Sequence, residues 1–378
     1  MKRRVLRWSL RGAALALVLA LGGFLVAVSG IVPVGASGGH WAITEWMLQF
    51  GKRRSIATHT LFAEPLELDE PWLVLKGAGH YETGCRPCHG SPDLPSPRIA
   101  QAMLPRPPYL PDVIGERDPE ALFYVVKHGL KFTGMPAWPA AHRDDEVRAL
   151  VAFLLAMPEL DADEYLELVH GEAPHDTAAG ALPDLVEPAV VPDVVAHHCA
   201  RCHGTDGRGR GVAAFPSLAG QSREYLERAL VAYADGDRHS GIMQPIAADL
   251  SDADRHDVAI YYAGLDAGAP VERVGPQERI ERGEEIARGL AERGAPSCQD
   301  CHGPAEWARN PAYPRLSGQF ADYLELQLEL FRSGHRGGSQ YADLMHHVAP
   351  RLTPEDVRDV ALYYASLTPS HDDARAER

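Results

Sequence analysis

Cysteine is scarce in this chain: there are six in 378 residues, and none lies outside three short stretches. Methionine is scarce too, with seven. Positive charge is in deficit, 37 Lys and Arg against 52 Asp and Glu, for a net charge of −15. That deficit excludes nucleic acid as a partner, because phosphate binding calls for a basic surface. It suits a basic protein partner, and equally a charge kept for solubility. After residue 34 no second long hydrophobic run follows, so everything beyond it reads as a soluble body. No strand–helix–strand alternation is visible, which removes a thioredoxin-like setting for the cysteines.

What is present begins at the N-terminus. Lys2, Arg3, Arg4, Arg7 and Arg11 precede an uncharged run from Gly12 to Val34. The apolar core of a signal peptide is usually about 7–15 residues. This run is long enough to cross the hydrocarbon core as a helix. The basic cluster holds the N-terminus in the cytoplasm and places the remainder outside. Cleavage near Ala36 is the alternative to a retained anchor.

The three cysteine stretches are "TGCRPCHG" (83–90), "HHCARCHG" (197–204) and "SCQDCHG" (297–303). Disulfide frameworks do not require a histidine after every second cysteine. Structural zinc needs four ligands, and three Cys pairs divide badly between such sites. Cys-x-x-Cys-His is instead the attachment signature of c-type haem: two thiols bond the porphyrin, and the histidine reaches the iron. Three covalently bound haem c groups are therefore expected, at Cys85, Cys88 and His89, at Cys199, Cys202 and His203, and at Cys298, Cys301 and His302.

The last two stretches belong to a repeat of about 100 residues, the length of a duplicated domain rather than of a solenoid. "PSLAGQSREYLERAL" (216–230) matches "PRLSGQFADYLELQL" (314–328), and "VAIYYAGL" (258–265) matches "VALYYASL" (360–367). An earlier unit has the same plan. It ends in "DDEVRALVAFLLAM" (144–157), whose Val147, Leu150, Val151, Leu154 and Leu155 form a core-facing helical stripe. Asp144 or Asp145 is expected to cap that helix. The expected organisation is a basic segment 1–11, an anchor 12–34 and a juxtamembrane segment 35–75. Then come a first haem domain 76–160, an acidic linker 161–190 with a short helix, haem domains 191–268 and 276–368, and a tail 369–378. Within 35–75, the stretch from His40 reads as an amphipathic helix that either lies near the membrane surface or packs on the first domain.

A methionine opposite the histidine raises the iron's potential and suits electron transfer. Elimination among so few methionines gives candidates. Met243 and Met345 fall at the same point of the repeat. In the first unit Met135, held by Pro136 in "TGMPAWP", has the right spacing. Met103 is too close to His89, and Met157 reads as core. His346 and His347 beside Met345 are alternatives that would give a bis-histidine iron. His197 and His198 read as surface residues or as neighbours of the haem propionates.

These features resemble the class I cytochromes c: a helix into Cys-x-x-Cys-His, a loop carrying the methionine, and a closing helix crossing the first. Residues 191–368 resemble the dihaem cytochrome c4 type through "PxLxGQ", "YLxxxL" and "YYA.L". Residues 76–160 resemble the single-haem domains of oxidase-associated subunits through "GAGHYETGCRPCHG" and "GMPAWP". The resemblance implies an all-α fold of three such domains behind a membrane helix, with Gly77 or Gly79 packing against Phe153. One departure is that the helix before Cys199 has little room, so the second domain is either truncated or leans on a neighbour. The implied function is outer-sphere electron transfer, not catalysis, in a single-pass inner-membrane protein with periplasmic haem domains. It would run between a quinol-oxidising complex or dehydrogenase and a terminal oxidase or soluble cytochrome c. A cytochrome subunit of an alcohol or sugar dehydrogenase is the alternative, and a haem peroxidase a more distant one.

Overall fold

The structure, a computed structural model, describes residues 2–32, 35–115, 117–171, 191–268, 275–304 and 309–369. Among these the fold is helical, with two isolated β-bridges and no strand. The first helix, Lys2–Ser29, starts inside the basic segment and ends before Gly30, whose φ of 65° breaks it. Its Arg4–Ser29 part is long and apolar enough to cross a membrane, by length and composition. Val34, the expected end of the span, lies outside the described residues.

A second helix, Ala42–His59, has no buried residue, and Trp41, Trp46, Met47 and Phe50 on or beside it are exposed. Its end meets the first helical unit where the His59 ring stacks on Tyr124 at 5.3 Å. Of the two expectations for this segment, the contact with the first unit is seen at this one point.

Buried apolar side chains gather into three main clusters, containing Tyr81, Leu150 and Phe153; Val195, Leu226 and Tyr262; and Ile280, Val357 and Tyr364. The first and third share one construction. The opening helix Pro71–Gly84 crosses the closing helix Asp144–Ala156, and Gln277–Ala287 crosses Pro354–Ser366. Each crossing is as close as a glycine allows. A methyl group on Gly77 would lie 2.0 Å from the Ala149 carbonyl oxygen, and one on Gly283 2.1 Å from that of Asp359. Gly79, the other candidate for this contact, faces Phe215 and the Cys202 sulfur instead.

One local expectation is corrected. Neither Asp144 nor Asp145 caps the closing helix, whose N-cap is Arg143 with no side-chain capping bond. The carboxylates are used elsewhere: Asp144 pairs with Lys127, and buried Asp145 pairs with Lys76 and Arg143 at 2.9 and 2.8 Å. The acidic stretch after Leu160 carries the short helix expected of it. Ala162–His170 is a helix with an Asp161/Glu164 capping box, and it buries Tyr165 and Val169 completely in the first cluster. Residues 172–190 lie outside the described residues.

Among the described residues the middle cluster has no long opening helix. Only a π-turn, Val195–Cys199, leads into the cysteine motif. Its place is taken from the first cluster: Arg201 donates to Thr83 Oγ1 at 2.7 Å, and Arg210 donates to the carbonyls of Leu168 and Glu167. The guanidinium thus sits at the C-terminal end of the Ala162–His170 helix, where the Glu167 carbonyl also accepts from Gly171 N–H at 2.8 Å.

Candidate functional site

Each cysteine motif folds as a single helical turn: Arg86–His89, Ala200–His203 and Gln299–His302. One turn puts residues three apart on the same face, which is how two thiols can meet one flat partner. Each turn stops at a glycine with φ of 72°, 76° or 78°, for Gly90, Gly204 and Gly303. In that conformation the chain doubles back beneath the histidine.

The histidines are then fixed in the same way three times. His89 Nδ1 donates to the Pro108 carbonyl at 2.9 Å, His203 to Pro216 at 3.1 Å and His302 to Pro314 at 3.0 Å. A nitrogen facing a carbonyl must carry the proton, so Nε2 is left with a lone pair, the arrangement of a metal-binding imidazole. Burial lowers the pKa of all three rings and keeps them neutral. Burial also pushes the thiols of Cys85 and Cys199 up to about 12, and that of Cys298 to about 11. Redox-active and metal-binding cysteines need the opposite shift. Among the described residues no group of three or more His, Cys, Asp or Glu could hold a bare metal ion.

Each candidate methionine lies on a partly buried loop or short helix of the same unit. Met135 ends a turn closed by Leu130 N–H donating to the Met135 carbonyl at 3.1 Å, and Met135 N–H donates to Thr133 Oγ1. The Met103 methyl packs close to Gly134 in that loop, so both methionines weighed for the first unit are brought together. Met157 is 1% exposed in the core, as its sequence position implies. Met243 opens the helix Met243–Asp249, and Met345 lies within Ala342–Val348. His346 Nε2 is held by the Arg336 carbonyl at 2.6 Å, and His347 is exposed. His197 and His198 are on the surface.

Sequence reasoning missed a buried pair of arginines. Arg238 and Arg336, only 5% and 9% exposed, sit between the second and third clusters among Tyr225, Tyr233 and Tyr323. Arg238 donates to Tyr323 Oη at 3.0 Å and Arg336 to Gln327 Oε1 at 2.7 Å. No ion pair to either appears among the described residues, and burial together with Arg238 pulls the Arg336 guanidinium down to about 10. Buried cations call for a counter-charge. Haem c carries two propionate carboxylates, so the donor set fits the group the motifs imply. A signal was available: both arginines stand two residues after a glycine at matching repeat positions, in "DGDR" and "SGHR".

The same repeat builds a reciprocal seam. Gln221 accepts from Arg315 N–H at 3.0 Å and donates to its carbonyl at 2.6 Å, while Gln319 does the same for Ser217 at 3.0 and 2.9 Å. Ser217 and Arg315 each follow the proline that holds a motif histidine. The two proximal loops are thus pinned to one another through the glutamines of "PxLxGQ".

A helical body carrying Cys-x-x-Cys-His turns with pre-set imidazoles is the class of proteins that bind haem c covalently. Comparison with known proteins gives the family. Residues 73–154 and 188–261 match the family described as cytochrome c oxidase, cbb3-type, subunit III. A thiosulfate dehydrogenase electron acceptor of Stutzerimonas stutzeri is 40% identical over 171 residues, 45% of this chain and 78% of that protein. Cytochrome c4 of Pseudomonas aeruginosa is 34% identical over 173 residues, again 45% of this chain and 83% of the relative. A solved structure of reduced cytochrome c4 from Pseudomonas stutzeri is 30% identical, with a TM-score of 0.41 over 45% of this chain and 93% of that one. The chain belongs to the c-type cytochromes.

Proposed function

We propose that the protein is a membrane-anchored, three-haem electron relay, with its haem domains on the periplasmic side of the inner membrane. Haem c supplies a one-electron couple at each site when bound. The thiols of Cys85 and Cys88, Cys199 and Cys202, and Cys298 and Cys301 would hold the group, and His89, His203 and His302 would offer Nε2 from one face. Met135, Met243 and Met345 would offer sulfur from the other, leaving no position for a substrate. The observation that carries this reading is the threefold recurrence of the proline-fixed, neutral histidine after a Cys-x-x-Cys turn. The hold on His346 by a backbone carbonyl supports Met345 rather than His346 as the third unit's ligand. The apolar helix at the N-terminus supports the anchor.

Electrons would pass from a quinol-oxidising complex or dehydrogenase to a terminal oxidase or soluble cytochrome c. A second reading has a specific support: two relatives carry the name thiosulfate dehydrogenase electron acceptor. In that reading the chain accepts electrons from one such dehydrogenase. Stopped-flow mixing of the oxidised full-length protein separates the two. Reduction by a quinol-oxidising complex with quinol is expected to be fast and to reach all three sites. Reduction only by a thiosulfate dehydrogenase with thiosulfate would replace the first reading by the second.

A further inference from the structure

The middle methionine loop is held from outside its own unit. Glu146, on the closing helix of the first unit and only 2% exposed, points across to residues 239–243. Its Oε1 accepts from Ser240 Oγ at 2.6 Å, and its Oε2 accepts from Gly241 N–H at 2.8 Å and from Trp138 Nε1 at 2.9 Å. Ser240 Oγ in turn accepts from Met243 N–H at 3.1 Å. Arg143 pairs with Glu146 at 3.0 Å and donates to the His239 carbonyl at 2.8 Å, which closes a second span over the same seam. Gly241 packs against the Trp138 indole, where a methyl group would come within 2.4 Å of the ring. Trp138 itself is three residues beyond Met135, so the two methionine loops meet at this point.

The carboxylate has four charge-assisted or polar donors and no spare oxygen, in a nearly dry setting where such bonds are strong. Among the described residues nothing in the third unit repeats it. The residues standing three and two before Met345 are Ala342 and Asp343, where the second unit has Ser240 and Gly241. The device is therefore particular to the middle unit and to its neighbour. It is also separate from the reciprocal glutamine seam, which fixes the proximal side.

We infer that Glu146 is a positioning residue for the second unit's axial ligand: through Ser240 and Gly241 it fixes the loop that presents Met243. The first unit would then govern how firmly methionine stays on the middle iron, and so that iron's potential. This rests on the reading that Met243 is a ligand, and the experiment separates the two claims.

The test uses the full-length, haem-loaded protein in detergent. Its readouts are the near-infrared band of methionine–iron bonding and the rate at which imidazole displaces methionine in the oxidised state. Met243→Ala comes first and should remove roughly a third of the band, one site of three. An unchanged band would overturn the ligand reading itself. Glu146→Gln keeps the size but turns one acceptor oxygen into a donor that faces Gly241 N–H or Ser240. Imidazole binding at a single site should then speed up by at least about tenfold, the scale of a lost charged hydrogen bond. Ser240→Ala should do the same, and the double variant should add little beyond either single change. If Met243→Ala behaves as expected while both single variants stay within about twofold of the parent, the clamp is overturned. An equal change at all three sites would also overturn it, because that is what loosened packing gives.

Discussion

At the scale of single residues, the fold depends on a few atoms that have no room to change. Gly77 is one. The Ala149 carbonyl stands where its side chain would begin, so Gly77→Ala must push the two helices of the first unit apart. Overpacking of this kind costs about 1–3 kcal/mol. Chemical unfolding followed at the first unit should show that loss, whereas Gly211→Ala, with nothing near it, tests only its positive φ of 76°. His80 is another. It is buried beside Trp138 with its Nδ1 unpartnered, and burial, then the charge of Lys76, lowers its pKa to about 3. An unfolded histidine titrates near 6.5, so below that pH the unfolded chain takes up a proton that the folded one refuses. Stability from this group is complete above about pH 6.5 and falls toward pH 3, by about 1.4 kcal/mol per pH unit within that window. Between pH 7 and pH 5 the parent should lose about 2 kcal/mol that a His80→Phe variant does not lose. Equal losses in both would contradict the assignment.

At the scale of elements, the middle unit has only a short turn before its cysteine motif among the described residues, and contacts from the first unit support it. The sequence before Cys199 is too short and too rich in proline for a full opening helix, and that shortage was visible directly. What replaced it was not visible, because the substitutes are distant in the chain. Arg201 reaches Thr83, and Arg210, at a φ of 61°, reaches the end of the Ala162–His170 helix. No periodicity links such pairs. Arg210→Ala should therefore weaken the join between first and second units while leaving the third alone. Limited proteolysis is the check, with cutting in the Ala162–His170 region expected to accelerate several-fold; an unchanged rate would remove Arg210 from that role. The cysteine motifs, by contrast, were legible because their chemistry is local. Five consecutive residues form the turn, and the glycine after them ends it. Helix caps were less legible. Asp144 and Asp145 looked like caps by position, but Lys127, Lys76 and Arg143 compete for them in three dimensions. The buried arginines went unread for a related reason: a charged residue in a loop reads as solvated until burial is known.

At the scale of the whole molecule, the chain combines an apolar N-terminal helix, an acidic body and two seams that bring loops of successive units together. The seams differ in kind. Second and third units meet through their proximal loops, in a reciprocal pair that the repeat generates. First and second meet through their methionine loops, using residues with no repeat counterpart, and also where Arg201 and Cys202 of the second cysteine turn approach Thr83 and Gly79. The net charge of −15 adds a kinetic expectation. Electron transfer to a basic soluble partner should slow as salt rises, because steering between unlike charges is screened within about 10 Å at 0.1 M. Rates that do not depend on salt would assign the charge to solubility alone.

The most direct test of the relay is a spectroscopic redox titration of the intact, purified protein, combined with a count of covalent haem by mass. Three haems per chain, all low-spin and all contributing to the near-infrared methionine–iron band, are the predicted result. Fewer than three, or a high-spin site that binds cyanide without first losing methionine, would contradict it.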